Sequence, residues 1–263
     1  HKYYSSYYNY VGWNMRRPQF KDKMVRRALT MMLDKQLILE TIYYGLGKEV
    51  VSGFFIDSPE YDKSIESWPY DPPQAAKLLA EAGWVDTNAN GILDKDGVEF
   101  QFEMLIRAGS PEAEAITTVY QEELKRVGIE MNIRSLEWAT FLGRVDDRNF
   151  DSVILGWSSP PTEGDPYQVW HSSQIEKGSN FVAFNHPESD RLIEQARLEF
   201  DTKKRVELYH KFNRILHEEQ PYTFLFCTQS LSAVSKRFQN VKVYPAGMDA
   251  REWWVPLPLQ RFQ

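Results

Sequence analysis

Apolar residues along this chain change period several times, and each change marks an element. Residues 3–14 hold Tyr7, Tyr8, Tyr10, Val11 and Trp13, a run of β-favouring side chains that predicts an extended segment. Over 20–44 the spacing becomes helical. Met24, Val25, Ala28, Leu29 and Met32 share one face, Asp34 stands where a second helix needs its N-cap, and Leu37, Ile38 and Ile42 continue the stripe. A methionine-rich stripe at this spacing reads as core packing. Gly45 and Gly47 close the helical pair, and residues 48–70 read as an irregular excursion punctuated by Pro59 and Pro69. Asp71-Pro72-Pro73 then opens a helix with the acid as N-cap. Ala75, Ala76, Leu78, Leu79 and Ala82 follow, and Gly83 takes the left-handed C-terminal position.

From residue 100 the pattern is regular. Residues 100–106 read as a strand, and Ser110-Pro111 caps a helix whose apolar face holds Ala115, Ile116, Val119, Leu124 and Val127 before Gly128 stops it. Ile129, Met131 and Ile133 alternate with Glu130, Asn132 and Arg134 as a second strand. Trp138, Phe141, Leu142 and Val145 mark a second helix, and 152–157 a third strand whose run Val153–Leu155 suits burial on both faces. This order, β-α-β-α-β, predicts an α/β fold with a parallel sheet and right-handed crossovers. Ligands of open α/β sheets bind at the carboxyl ends of the strands. Those ends are Arg107, then Glu137-Trp138, then Gly156-Trp157-Ser158 with the loop to Trp170, which carries Glu163, Asp165 and Tyr167. Ser110 opens its helix at the same edge, where free N–H groups favour an anion. Beyond the loop, a short strand over 181–184, helices over 187–200 and 202–217, and strands over 222–227, 231–234 and 241–244 complete the expected order.

Composition narrows the function. The 263 residues allow one large domain or two small ones, and 42% hydrophobic content is that of a folded globular chain. A net charge of −6 leaves no basic stripe to neutralise phosphates, which argues against nucleic acid. The aromatic share, 14%, supplies stacking surface with polar tips. Cys227 is the only cysteine, so no intrachain disulfide can form. No apolar run is long enough to span a bilayer, and the first residues lack the apolar core of a signal peptide. The start without Met, mid-strand, predicts a piece of a longer chain.

Catalytic signatures are missing. The sequence has no Gly-x-Ser-x-Gly elbow, no Walker A loop, no Gly-x-Gly-x-x-Gly fingerprint and no His-Glu-x-x-His. His210 and His217 share a helix, but His217-Glu218-Glu219 lacks the second histidine of a zinc helix. Cys227 in an apolar strand suits an inert thiol. In the stretch 86–97, Asp86, Asn88, Asn90 and Asp94 fall at positions one, three, five and nine of a calcium loop with Gly91 at six. Position twelve is Gly97, not the closing Glu, and an Asn-Gly turn before a strand explains the same residues. No cofactor is expected.

Tyr10-Val-Gly-Trp-Asn14 followed by Phe20, Asp22, Val25, Arg26, Ala28, Leu29 and Asp34, the helix Pro73, Ala76, Leu79, Ala82, Gly83, Trp84, and the pairs Asn90-Gly91, Glu137-Trp138, Gly156-Trp157, Asp165-Pro166 and Asn180-Phe181 occur in an order that resembles the C-terminal part of the family 5 extracellular solute-binding proteins. These are the peptide and nickel receptors of ABC importers. The resemblance implies a type II periplasmic-binding-protein architecture, two lobes closing on a ligand about hinge strands, without catalysis. Residues 1–220 would form the second lobe, and 221–263 the hinge and a segment returning to the first lobe. Arg107, four residues before Pro111, matches the arginine that holds a peptide carboxylate, and Gly156-Trp157-Ser158 the edge that pairs with peptide backbone. The acid that anchors the ligand ammonium is absent, since Pro160 holds its position; Glu163 or Asp165 could replace it. The resemblance further implies a peptide or other small ligand, permease subunits as partners, no nucleic acid, a periplasmic or extracellular location, and membrane contact only through a lipid anchor outside the chain. Receptors for an oligosaccharide, a nickel chelate or an opine, and an enzyme on this fold, are the competing readings. Each residue also has a structural alternative: Arg107 as a surface ion-pair residue, Trp157 as a packing aromatic, and Asp165 as a turn former before Pro166.

Overall fold

A twelve-residue strand, β1 (Lys2–Trp13), runs through the middle of the sheet that organises the molecule. The computed structural model describes every residue except 160, 162, 163, 246, 262 and 263. After β1 come α1 (Lys23–Met31), α2 (Lys35–Thr41), β2 (Gly47–Glu49) and α3 (Pro72–Glu81), then the small hairpin β3 (Asp94–Lys95) and β4 (Val98–Glu99). The regular stretch gives β5 (Gln101–Arg107), α4 (Pro111–Arg126), β6 (Glu130–Leu136), α5 (Trp138–Asp146) and β7 (Ser152–Ser158). The short α6 (Tyr167–Trp170), α7 (Pro187–Leu198), α8 (Thr202–Glu219) and β8 (Tyr222–Leu231) follow.

The helix starts are where the caps predict them. Asp34 accepts from Leu37 N, Asp71 from Gln74 N and Ser110 from Ala113 N, each satisfying an N–H that the first turn leaves free.

The six strands lie in the order β2-β8-β1-β7-β5-β6. The β-α-β-α-β unit forms its parallel part: β5 pairs with β6 from Gln101↔Glu130 to Arg107↔Leu136, and with β7 at Met104↔Ser152 and Leu105↔Val153. Beyond β7 the sheet is antiparallel, because β1 pairs with both β7 and β8, and β2 with β8. The sheet is therefore mixed, and only its β7-β5-β6 side is parallel.

Strand alternation divides the apolar residues into two cores, one per face. Val11, Trp13, Phe102, Met104, Ile106 and Ile154 pack against α1, α2, α3 and α4. On the other face, Tyr8, Tyr10, Leu105, Val153, Tyr222 and Phe224 pack against α5, α7 and α8. At roughly 2 kcal/mol per fully buried large apolar side chain, these two layers are the main stabilising term.

Three strand expectations are corrected. Residues 181–184 form a turn, because the Asn180 side chain binds both Phe184 N and Phe184 O and Ala183 takes φ 61°. Residues 231–234 and 241–244 are not strands either. β8 runs on to Leu231 because β1 continues to pair with it there, and beyond it, among the described residues, only the isolated bridges Gln239↔Trp254 and Tyr244↔Gly247 are β-like. Helix α8 runs two residues further than expected, to Glu219, where the buried Arg26 guanidinium donates to Glu219 O.

Candidate functional site

The parallel strands part company at their carboxyl ends. After Leu105↔Val153 no pairing joins β5 to β7, although β5 stays paired with β6 to its last residue and β7 stays paired with β1 to Tyr7↔Ser158. A wedge opens there, and a cleft of about 520 Å³ occupies it. On the β1 side, Asn14 N donates to Asp151 O and Ser159 N to Ser6 O. Hydrogen-bonding direction alternates along an antiparallel ladder, so the N–H and C=O groups of Gly156 point away from β1, into the wedge.

Arg107, the last residue of β5, stands at this cleft with its guanidinium 5.6 Å from the centre of the Trp138 ring. Among the described residues no carboxylate forms an ion pair with it. The end of the Tyr7 side chain covers Gly156: a Cβ at that glycine would sit 2.0 Å from Tyr7 Oη and 2.6 Å from Tyr8 O, so the close approach requires the missing side chain. Burial pushes the Tyr7 pKa up and the nearby Arg107 charge pulls the other way. Beside it on β1, Asn9 Nδ2 donates to Tyr43 Oη at 3.0 Å while Asn9 Oδ1 accepts from Phe226 N at 3.0 Å. This side chain supplies a partner where the β1–β8 ladder loses register, between Tyr8↔Cys227 and Tyr10↔Phe224. Tyr43 is raised by burial first; the Asn9 bond opposes this and the Glu112 charge adds to it.

The expected site residues divide between the two faces of the sheet. Arg107, Trp138 and Gly156 come together in the cleft. Glu137 is exposed, and its Oε2 accepts from Ala139 N at 2.9 Å as the N-cap of α5. Trp157, one residue beyond Gly156, faces the other way. It stacks on Phe181 at 5.9 Å, and its Nε1 donates to Tyr222 Oη at 3.4 Å. Burial pushes the Tyr222 pKa up to about 12.

Ser158 and Asp165 border a smaller cavity of about 100 Å³ on that opposite face, with Tyr8, Phe54 and Trp170. Asp165 is engaged in local structure: Oδ1 accepts from Tyr167 N at 3.0 Å, and Oδ2 pairs with Arg197 at 3.2 Å. Glu163 and Pro160 lie outside the described residues. The cleft also gathers residues the sequence reading passed over, namely Tyr7, Asn9, Tyr43, Glu112 and Thr228. The odd-numbered polar positions of β1 beside the buried Tyr8 and Tyr10 were the available signal.

The loop 86–94 uses its own oxygens. Asp86 accepts from Asn90 N and Gly91 N, Asn88 from Asn90 N, Asn90 from Ile92 N, and both oxygens of Asp94 from Thr87. Among the described residues no three His, Cys, Asp or Glu side chains are grouped to hold a metal ion. No helix among them is long and apolar enough to cross a membrane.

A mixed α/β lobe with a polar cleft at the carboxyl ends of its parallel strands defines a ligand-binding module. The chain belongs to the bacterial extracellular solute-binding proteins, family 5, whose middle-region profile matches residues 1–179. It is 37% identical over 257 residues to the oligopeptide-binding protein AppA of Bacillus subtilis, covering 94% of this chain and 47% of that protein. It is 28% identical over 243 residues to heme-binding protein A of Haemophilus influenzae, covering 92% and 43%. The structure of Bacillus subtilis AppA in complex with a nonapeptide superposes with a TM-score of 0.87 at 35% identity, covering 97% of this chain and 52% of that one. The expected periplasmic-binding-protein fold is thus found, and the chain spans about half the length of the relatives it matches. The family is one of solute-binding proteins, not of enzymes.

Proposed function

We propose that this chain supplies the ligand-binding lobe of the substrate-binding component of an ABC importer, and that its ligand is a short peptide. The observation that carries the reading is the wedge between β5 and β7. It offers unpaired β7 backbone at Gly156 to an extended chain and, at its rim, an Arg107 guanidinium without a carboxylate partner among the described residues. Adding a strand to an open edge gives sequence-tolerant affinity, and a guanidinium suits a terminal carboxylate. The name of the Bacillus subtilis relative supports peptides over other solutes. The guanidinium lies over the Trp138 ring, and Ser110, the N-cap of α4, lines the same cleft.

In this reading residues 1–220 are the lobe and 221–263 the hinge and a segment of the other lobe. Burial falls along β8 from fully buried at Tyr222 to exposed at Leu231, which suits a strand leaving the core. The protein works in the periplasm or outside the cell, held near permease subunits by an anchor beyond this chain. Calorimetric titration of the full-length protein with di- to pentapeptides tests the proposal. Binding weakened at least tenfold by Arg107→Met or by C-terminal amidation of the peptide is expected. Heat with a heme, a sugar or a metal chelate, and none with any peptide, would refute it.

A further inference from the structure

The cleft holds a second charge that has no partner among the described residues. Glu112, in the first turn of α4, lines the same volume as Arg107, on the wall formed by Tyr43. Among the described residues no hydrogen bond or ion pair reaches its carboxylate, and it does not pair with Arg107. Two other polar groups of the cleft have local roles: Ser110 caps α4, and Asn9 ties Tyr43 to Phe226 N. Glu112 is in contact with the volume where a ligand would lie, and its charge is felt by the Tyr43 hydroxyl.

Two opposite charges that line one cleft without pairing with each other suit a ligand that brings both counter-charges. We propose that Glu112 selects ligands carrying an ammonium or guanidinium group close to the carboxylate held by Arg107. This rests on the peptide reading of the cleft and adds a preference to it. The cationic group has two sources in a peptide. In a very short one it is the α-ammonium, which lies within reach of the C-terminal carboxylate; in a longer one it is a lysine or arginine side chain near the C-terminus. The ordinary role of an acid in a first helical turn is to favour the helix dipole. That role acts on the folded protein alone and predicts no dependence on ligand charge, so the two are separable.

The test is a set of affinity ratios measured by calorimetry on the full-length, two-lobed protein and on its Glu112→Gln variant. One pair compares dialanine with N-acetyl-dialanine, and a second compares pentapeptides whose last residue is lysine or norleucine. In the unaltered chain a partly solvated ion pair is expected to favour the cationic member of at least one pair by about fivefold. The pair that shows it identifies the source. In Glu112→Gln that ratio is expected to fall to near one, and in Glu112→Lys to invert. Ratios near one in the unaltered chain, or a preference that survives Glu112→Gln, overturn the proposal while leaving the peptide reading intact. Absence of binding by every peptide overturns the peptide reading itself. Circular dichroism of the variants confirms that a lost preference is not lost folding.

Discussion

Replacing Gly156 with alanine adds one methyl group at the point where three segments meet. The new Cβ would lie 2.0 Å from Tyr7 Oη, 2.1 Å from Tyr7 Cζ and 2.6 Å from Tyr8 O. The first two contacts belong to the end of a half-exposed side chain, which can swing away at little cost. The third is a backbone carbonyl fixed by the β1–β7 ladder, in which Tyr8 faces Trp157 and Asn9 faces Gly156. Relieving it means moving one strand against the other, so the cost is that of overpacking, about 1–3 kcal/mol. For a chain of this size that corresponds to a loss of roughly 3–9 °C in Tm. The same substitution at Gly143 is the control. That glycine lies inside α5 with nothing within 4 Å of its virtual Cβ, so alanine there is expected to stabilise by about 0.5–1 kcal/mol through helix propensity. Differential scanning fluorimetry reads both, and a Tyr7→Ala background separates the movable from the fixed contact: Gly156→Ala should still destabilise there, by a smaller amount. A Gly156→Ala melting point within about 1 °C of the parent would refute the argument that this close approach demands glycine.

Asn9→Ala removes the acceptor of Phe226 N and the donor to Tyr43 Oη, and is expected to cost about 1–3 kcal/mol and to speed amide exchange at Phe226, read by hydrogen-exchange mass spectrometry. Phe212→Ala, at 1% exposure against Phe54 and Trp170, is expected to cost about 3–5 kcal/mol, whereas Phe200→Ser, at 98% exposure, should change stability by less than about 0.5 kcal/mol in urea unfolding. His217, stacked on Trp68 at 5.1 Å, has its pKa lowered by burial first, with Arg27 and Lys35 acting in the same direction and Glu218 against them. Its folded pKa lies below the unfolded value near 6.5, so the unfolded state takes up the proton first. The stability this ring contributes is complete above about pH 6.5 and is lost as pH falls through the folded pKa. Tm measured from pH 7.5 to 5 should therefore fall more steeply for the parent than for His217→Phe.

The ladder at Gly156 also explains how far the sequence was legible. Helix starts at Asp34, Asp71 and Ser110 and the β-α-β-α-β order could be read directly, because a cap or an alternation acts within a few residues. The division of the site could not be read from a contiguous motif. Gly156-Trp157-Ser158 looks like one recognition edge, yet a strand sends successive side chains to opposite faces, so Trp157 joins the aromatic layer with Phe181 and Tyr222 while Gly156 borders the cleft. The same rule, applied to β1, would have found Tyr7 and Asn9: Tyr8 and Tyr10 are buried, so their odd-numbered neighbours face the other side.

The features that resisted sequence reading depend on pairings distant in the chain. The turn at 181–184 exists because Asn180 outcompetes a ladder, and β8 extends to Leu231 because β1 is long enough to pair with it. The wedge between β5 and β7 has the same origin. β7 follows β1 along its whole length while β5 follows β6, so the two parallel neighbours diverge after Leu105↔Val153. A cleft made by such competition is set by the sheet, not by its loops. Changes in the loop after β7 should therefore alter what the cleft prefers before they alter whether it forms, whereas strain placed at Gly156 should alter both.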